Sequence, residues 1–100
     1  MNIGVSIKTR EFSIKEGKTY PSMNNARVII PKKWECENVY IVPIGENDYS
    51  LYVEDGLNNF EFELNNEILI REVKSETKTG KKYVYIPSRF AGIQLLIVPF

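Results

Sequence analysis

Short runs of β-branched and aromatic residues follow one another along the chain, and several alternate apolar with polar positions. This pattern predicts strands at 5–7, 12–14, 28–30, 39–44, 49–53, 60–64, 68–73, 83–86 and 93–98. The clearest alternation is FEFEL, in which Phe60 and Phe62 share one face and Glu61 and Glu63 share the other. Clusters of Gly, Asn, Asp and Pro between the runs predict turns. The sequence therefore indicates a mainly β protein.

Helical signals are confined to two segments that each begin with proline, PKKWEC at 31–36 and PSRFAG at 87–92. Proline is favoured at the first position of a helix, so each segment predicts one short helical turn. Trp34 and Phe90 each follow their proline by three residues. The simplest interpretation makes both of them core anchors that face the strands.

The chain also repeats itself at an offset of 56 residues. Residues 12–44 align with 68–100 without a gap, and nine of the 33 pairs are identical, where ordinary residue frequencies give about two. The identical pairs are Ile14/Ile70, Glu16/Glu72, Lys18/Lys74, Val28/Val84, Ile30/Ile86, Pro31/Pro87, Ile41/Ile97, Val42/Val98 and Pro43/Pro99. We therefore expect one domain over 1–100, made of two repeats at about 3–54 and 60–100.

Composition excludes several kinds of chemistry. The chain has no histidine, which removes histidine-based catalysis, and Cys36 is its only cysteine, which removes disulfides and cysteine-rich zinc sites. No glycine-rich phosphate loop is present, and the paired carboxylates at Glu35/Glu37 and Glu61/Glu63 lack a recognisable pocket motif. We expect a protein that is not an enzyme, with no catalytic residues, no metal site and no cofactor.

The apolar runs are too short for a membrane span. The longest, VYIVPI and LLIVPF, have six residues each, whereas a spanning helix needs roughly 20. The N-terminal MNIGVSIKTR lacks the apolar stretch of a signal peptide. A single unbridged thiol suits a reducing compartment. These features predict a cytoplasmic protein with no membrane partner.

The formal net charge is zero, but the charges are segregated along the chain. Residues 1–33 hold seven Lys/Arg and two acids, residues 34–72 hold one Arg and ten acids, and residues 73–100 hold five Lys/Arg and one acid. A fold that brings the two ends together would show one positive face despite the neutral total.

The segment ARVIIPKKW…NVYIVPIGENDYSLYVE resembles the SpoVT/AbrB-like family of swapped-hairpin DNA-binding domains. The pattern of that family is a short strand ending in Ile-Pro, one helical turn begun by that proline, and two strands that form a hairpin. The second copy, YVYIPSRF…LLIVPF, matches the first three parts. The resemblance implies a small β-barrel built from two tandem swapped-hairpin-like repeats, either as a monomeric pseudo-dimer or as a homodimer. Among such domains the chain looks most like an archaeal or mobile-element variant.

The resemblance also implies a transcriptional regulator that binds duplex DNA through basic strands and loops. Arg27 takes the position of the arginine that precedes the Val-x-Ile-Pro strand, and Lys32 and Lys33 fall on the first helical turn. The segment KTGKK at 78–82 forms a basic hairpin tip. The predicted DNA-binding residues are Lys8, Arg10, Arg27, Lys32, Lys33, Lys78, Lys81, Lys82 and Arg89.

Two other interpretations stay open. The acidic segment 46–67 would suit a basic protein partner, as in an antitoxin-like or virus-encoded interaction module. Alternatively, Tyr83, Tyr85 and Trp34 would act as stacking platforms for single-stranded nucleic acid.

Overall fold

A computed structural model describes residues 3–19, 26–44, 49–64 and 68–100, and the structural statements below concern these residues. They form antiparallel strands and one short 3₁₀ turn, so the predicted mainly β class is confirmed. The strands are β1 (Ile3–Thr9), β2 (Ser13–Glu16), β3 (Lys18–Thr19), β4 (Ala26–Ile30), β5 (Asn38–Pro43), β6 (Tyr49–Glu54), β7 (Leu57–Leu64), β8 (Leu69–Glu72), β9 (Lys74–Ser75), β10 (Lys82–Ile86) and β11 (Gln94–Pro99).

The strands are arranged in three sheets. The front sheet has the order β3-β4-β10-β9, the middle sheet has the order β2-β11-β5-β8, and the back sheet has the order β1-β7-β6. All the pairings within these ladders are antiparallel. The front and middle sheets are built from the two aligned segments, 12–44 and 68–100, whereas the back sheet is built from residues outside them, at 3–9 and 49–64.

The strand bounds recur at the offset of the sequence repeat. Each of β2, β3, β4 and β5 reappears 56 residues later, as β8, β9, β10 and β11. Val28 pairs with Val84 at the centre of the front sheet, and Ile41 pairs with Ile97 at the centre of the middle sheet. Since both pairs are equivalent positions of the two repeats, an approximate two-fold axis passes through both sheets.

The two halves exchange strands across this axis. In the middle sheet β2 pairs with β11 of the other half, and β8 pairs in the same way with β5. The backbone bonds at the changeover points also recur, because Gly17 N donates to the Ile93 carbonyl at 3.4 Å and Val73 N donates to the Glu37 carbonyl at 2.9 Å. Neither half therefore completes a sheet by itself.

The middle sheet is covered on both faces. Val39, Ile41, Leu95 and Ile97 pack against the inner side of the front sheet, in one core cluster. The alternate residues of the same strands, including Val42 and Leu96, pack with Phe60 and Phe62 of the back sheet in a second cluster. Burial on both faces explains why β5 and β11 read as continuous apolar runs instead of alternating ones.

The predicted closed barrel is not found among the described residues, which lie in separate sheets. Two strand segments are each interrupted at equivalent positions of the repeat. Gly17 separates β2 from β3, and Val73 separates β8 from β9. At each point the chain leaves the middle sheet and enters the front sheet. The strands on the front side are only two residues long.

The prediction of one helical turn in each repeat is only weakly matched. In the second repeat Ser88–Phe90 forms a 3₁₀ turn, and in the first repeat the equivalent residues form a turn closed by Trp34 N donating to the Pro31 carbonyl at 3.2 Å. Segments this short gain too few hydrogen bonds to offset helix nucleation. Trp34 and Phe90 nevertheless lie in the core cluster between the front and middle sheets, which we call the front core, and they are 3% and 4% exposed. Along the described stretches, no helix is long and apolar enough to cross a membrane.

Candidate nucleic-acid interface

The outer face of the front sheet is open to solvent and carries aromatic and basic residues. Val28, Ile30 and Val84 are directed into the core, 2%, 1% and 0% exposed. Because side chains alternate across a strand, Arg27 and Tyr83 are placed on the opposite face. Ile29 and Tyr85 share that face, and all four of these residues are half-buried.

Two lysines on the edge strands join this face. Lys18 of β3 lies directly opposite Arg27, and Lys74 of β9 lies directly opposite Tyr83. Directly opposite residues have side chains on the same face of a sheet, and two like charges in that position destabilise it. Repulsion between Lys18 and Arg27 on this open face therefore lowers the stability of the folded protein.

Arg27 contacts Glu76 and Tyr83. Its Nη1 lies 3.8 Å from Glu76 Oε1, and its guanidinium lies 5.0 Å from the centre of the Tyr83 ring. The Arg27 side chain is 17% exposed, so this cation is largely packed and has a fixed orientation. It contributes positive potential at the surface, while its apolar stem covers the sheet.

Tyr83 and Tyr85 form an aromatic pair next to Arg27. Their ring centres are 5.4 Å apart and the rings are nearly perpendicular, at 82°. A hydrogen bond with the Tyr85 side chain, together with partial desolvation, raises the pKa of Tyr83 above its ordinary value of 10.0. Tyr83 is therefore neutral throughout the physiological range and adds no negative charge to this face.

The turn at 76–81 connects β9 to β10 and is internally bonded. Gly80 N donates to the Glu76 carbonyl and Glu76 N donates to the Lys81 carbonyl, each at 2.9 Å. The Thr79 hydroxyl donates to Glu76 Oε2 at 2.9 Å. Gly80 has a φ of +68°, in the left-handed region that favours glycine. Lys78 and Lys81 are thus exposed on an ordered turn.

Lys32 links the first repeat to this turn, because its Nζ donates to the Thr79 carbonyl at 2.9 Å. This contact places the exposed pair Lys32 and Lys33 beside the turn, at the end of the front sheet where β4 stops and β10 begins. We call the combined feature the basic surface. It consists of Lys18, Arg27, Lys32, Lys33, Lys74, Lys78, Lys81, Tyr83 and Tyr85.

Four of the predicted DNA-binding residues lie elsewhere. Lys8 belongs to β1 of the back sheet and Arg10 follows it, so the middle sheet separates both from the basic surface. Lys82 pairs with the inward-facing Ile30, and its Nζ donates to the Trp34 carbonyl. Arg89 lies beyond the far end of β10, with its guanidinium 5.0 Å from the centre of the Phe90 ring. The structure brings together Arg27, Lys32, Lys33, Lys78 and Lys81.

The sequence-based set missed Lys18 and Lys74 of the basic surface. Both lie on strands of two residues, which are too short to show any periodicity. A signal was nevertheless present, because Lys18 and Lys74 are one of the identical pairs of the repeat. Identical residues at equivalent positions of the repeat predict equivalent places in the fold, and both lysines do lie on edge strands of the front sheet.

Trp34 is 3% exposed within the front core, which leaves no face of its ring for a base. The suggestion that Trp34 stacks on single strands is therefore wrong for this structure. Its ring fills space beneath β4 and β10, where apolar burial is worth most.

The opposite side of the molecule is acidic. Glu61 and Glu63 lie on the outer face of the back sheet, and the Tyr52 hydroxyl donates to Glu61 Oε1 at 2.8 Å. This bond raises the pKa of Tyr52 above 10.0. Of the acidic segment 46–67, residues 46–48 and 65–67 lie outside the described residues. The described residues contain no group of three or more Asp, Glu or Cys placed to hold a metal ion.

Comparison of the chain with protein-family models, with curated proteins and with solved structures finds no match. The function is therefore argued from the residues and their geometry.

Proposed function

We propose that this protein binds duplex DNA through the basic surface, as an AbrB-like transcriptional regulator built within a single chain. The observation that carries the proposal is the clustering of cations on one open sheet face, where acidic partners accompany only Arg27 and Lys74 among the described residues. Lys18 and Arg27 lie opposite one another there, and the lysines of the 76–81 turn and Lys32 extend the cluster. Polyanion binding offsets the repulsion that such a cluster costs in the free protein.

The topology supports the swapped-hairpin part of the proposal. Strand β2 pairs with β11 and β8 pairs with β5, so each repeat completes the sheet of the other. At Gly17 and at Val73 the chain passes from the middle sheet to the front sheet, so each repeat contributes strands to both sheets. A chain with two such units has the approximate two-fold symmetry of a dimeric DNA-binding domain.

The parts of the basic surface suit different tasks. Lys18 and Lys74 sit on strand edges and reach phosphates, which positions the protein without reading sequence. Lys78 and Lys81 project from a turn whose backbone is already ordered by its own hydrogen bonds. An ordered turn loses less entropy on binding than a flexible one, which favours it as the element that enters a groove.

The charge distribution also favours one orientation of the protein as it approaches DNA. The basic surface and the acidic outer face of the back sheet lie on opposite sides of the middle sheet. A neutral protein with this polarity is steered so that its front sheet meets the DNA.

The experiment is a fluorescence-anisotropy titration of labelled duplex DNA at low and at near-physiological salt. Lys78→Ala/Lys81→Ala removes two cations from the basic surface, and Lys8→Ala/Arg10→Ala removes two cations from the back sheet as the matched control. We expect the first variant to bind at least about tenfold more weakly and to lower the slope of log K against log salt by about two. Absence of duplex binding at low salt, or equal losses in both variants, would contradict the proposal.

Single-stranded nucleic acid is a second candidate, favoured by the Tyr83–Tyr85 pair on the same face. Base stacking on an aromatic ring is worth about 1–3 kcal/mol per base. Arg27 already covers one face of Tyr83, so Tyr85 is the better platform. In the same titration, Tyr85→Leu would weaken single-strand binding selectively if this candidate is correct. An equal effect of Tyr85→Leu on duplex and single strands would rule it out.

A further inference from the structure

Strand β6 is the one sheet edge in the described chain that lacks a basic residue. The other edge strands each carry one, as Lys8 in β1, Lys15 in β2, Lys18 in β3, Arg71 in β8 and Lys74 in β9. Charged residues, lysine above all, are a common device that prevents the edge of a sheet from pairing with another chain. β6 has the sequence YSLYVE, with neither lysine nor proline.

The side chains of β6 are exposed as well as its edge. Every residue of the strand is exposed, and Tyr49, Leu51 and Val53 are 43%, 45% and 70% accessible. These three residues face the same way as Phe60 and Phe62 of the neighbouring β7, which are 0% and 5% exposed. The apolar face of the back sheet thus continues onto β6 without a covering layer among the described residues.

We infer that β6 pairs edge to edge with β6 of a second copy of this chain, which gives a two-fold symmetric dimer with a continuous six-stranded back sheet. An antiparallel pair of residues 49–53, centred on Leu51, sets Leu51 opposite its own counterpart. Tyr49 of each copy then lies opposite Val53 of the other. Aromatic and β-branched residues are favourable cross-strand partners.

On the other face the same register sets Ser50 opposite Tyr52 of the other copy, and none of the five residues from 49 to 53 is charged. The strand is therefore complementary to itself, which a two-fold interface requires because the same patch serves both subunits.

The expected strength is modest. A stable interface buries about 800 Å² per partner, and one six-residue edge offers less than that. The association is therefore reversible, with a dimer fraction that rises with protein concentration in the micromolar range. It is independent of the DNA-binding proposal, because β6 and the basic surface belong to different sheets.

The first test is sedimentation equilibrium of the full chain over a wide concentration range. Leu51→Lys places two lysines directly opposite each other at the centre of the pair, and Val53→Lys replaces the apolar partner of Tyr49 with a charge at each end; we expect each variant to weaken dimerisation at least about tenfold. Ile70→Lys is the matched control, since Ile70 is 56% exposed but lies on β8 of the middle sheet. Circular dichroism and thermal unfolding verify that each variant is folded. A wild-type chain that is monomeric throughout, or an Ile70→Lys effect equal to that of Val53→Lys, would overturn the inference.

The second test reports the register directly and does not depend on destabilising variants. In a Cys36→Ser background, Leu51→Cys places two thiols opposite each other across the two-fold axis. Opposite Cα atoms in an antiparallel pair lie about 4.5–5.5 Å apart, within the range that a disulfide spans. Mild oxidation should give a covalent dimer for Leu51→Cys and not for Ile70→Cys. Equal cross-linking of both, or of neither, would contradict the proposed pairing.

Discussion

Gly17 has little space around its backbone. A Cβ at this position would lie 2.5 Å from Ile86 Cδ1 and 3.0 Å from the Phe90 carbonyl oxygen. Val73, at the equivalent position of the second repeat, carries a full side chain and is half-buried. The changeover between sheets is therefore tight in one half and roomier in the other.

Gly17→Ala should lower stability by about 1–3 kcal/mol, because the added methyl group must displace packed core atoms. The measurement is the free energy of unfolding in urea. Gly4→Ala is the control, since a Cβ at Gly4 meets nothing within 4 Å. A Gly17→Ala protein as stable as wild type would show that the front core is looser than the distances indicate.

At the residue scale, the sequence predicted core positions better than surface ones. Trp34 and Phe90 were expected to be core anchors, and both are buried. Lys82 was expected on the surface because it ends a basic run. Its position opposite inward-facing Ile30 depends on strand register, which a run of lysines does not specify.

Elements that alternate or repeat were the most predictable. The strand runs read from the sequence all overlap observed strands, whereas β3 and β9 are too short to show a period. The pairing of β2 with β11 was not readable from pattern alone, because it depends on which apolar faces meet. Ile14 and Ile70 are identical in the repeat, yet the first is half-buried and the second is 56% exposed.

The middle sheet offers a test at the element scale. Ile41→Val and Ile97→Val each remove one methylene at a fully buried site, and each should cost about 0.5–1.5 kcal/mol. Ile70→Val makes the same change on an exposed edge strand, and it should alter stability by less than about 0.5 kcal/mol. Urea unfolding compares the three. A cost for Ile70→Val equal to that for Ile41→Val would contradict the two-sided burial assigned to this sheet.

At the scale of the whole molecule, the linear order basic–acidic–basic becomes an arrangement of layers. The two basic ends of the sequence supply most of the front sheet, and the acidic middle supplies β6 and β7 of the back sheet. The sequence indicated a positive face only on the condition that the two basic ends meet. The placement of Lys8 in the back sheet, with Arg10 directly after it, did not follow from their position in a basic segment. Lys8 lies in the back sheet because β1 pairs with β7, which is distant along the chain. The charge of a local segment does not indicate such a pairing.

The proposed function requires that DNA contact the basic surface. The most direct measurement is a ¹H–¹⁵N NMR titration of the chain with a short duplex at low salt. We expect amide shifts concentrated at Arg27, Lys32, Lys74, Tyr85 and the 76–81 turn, with β1 and β7 unchanged, and reversal of these shifts as salt is raised. Shifts confined to the back sheet, or none at all, would contradict the account.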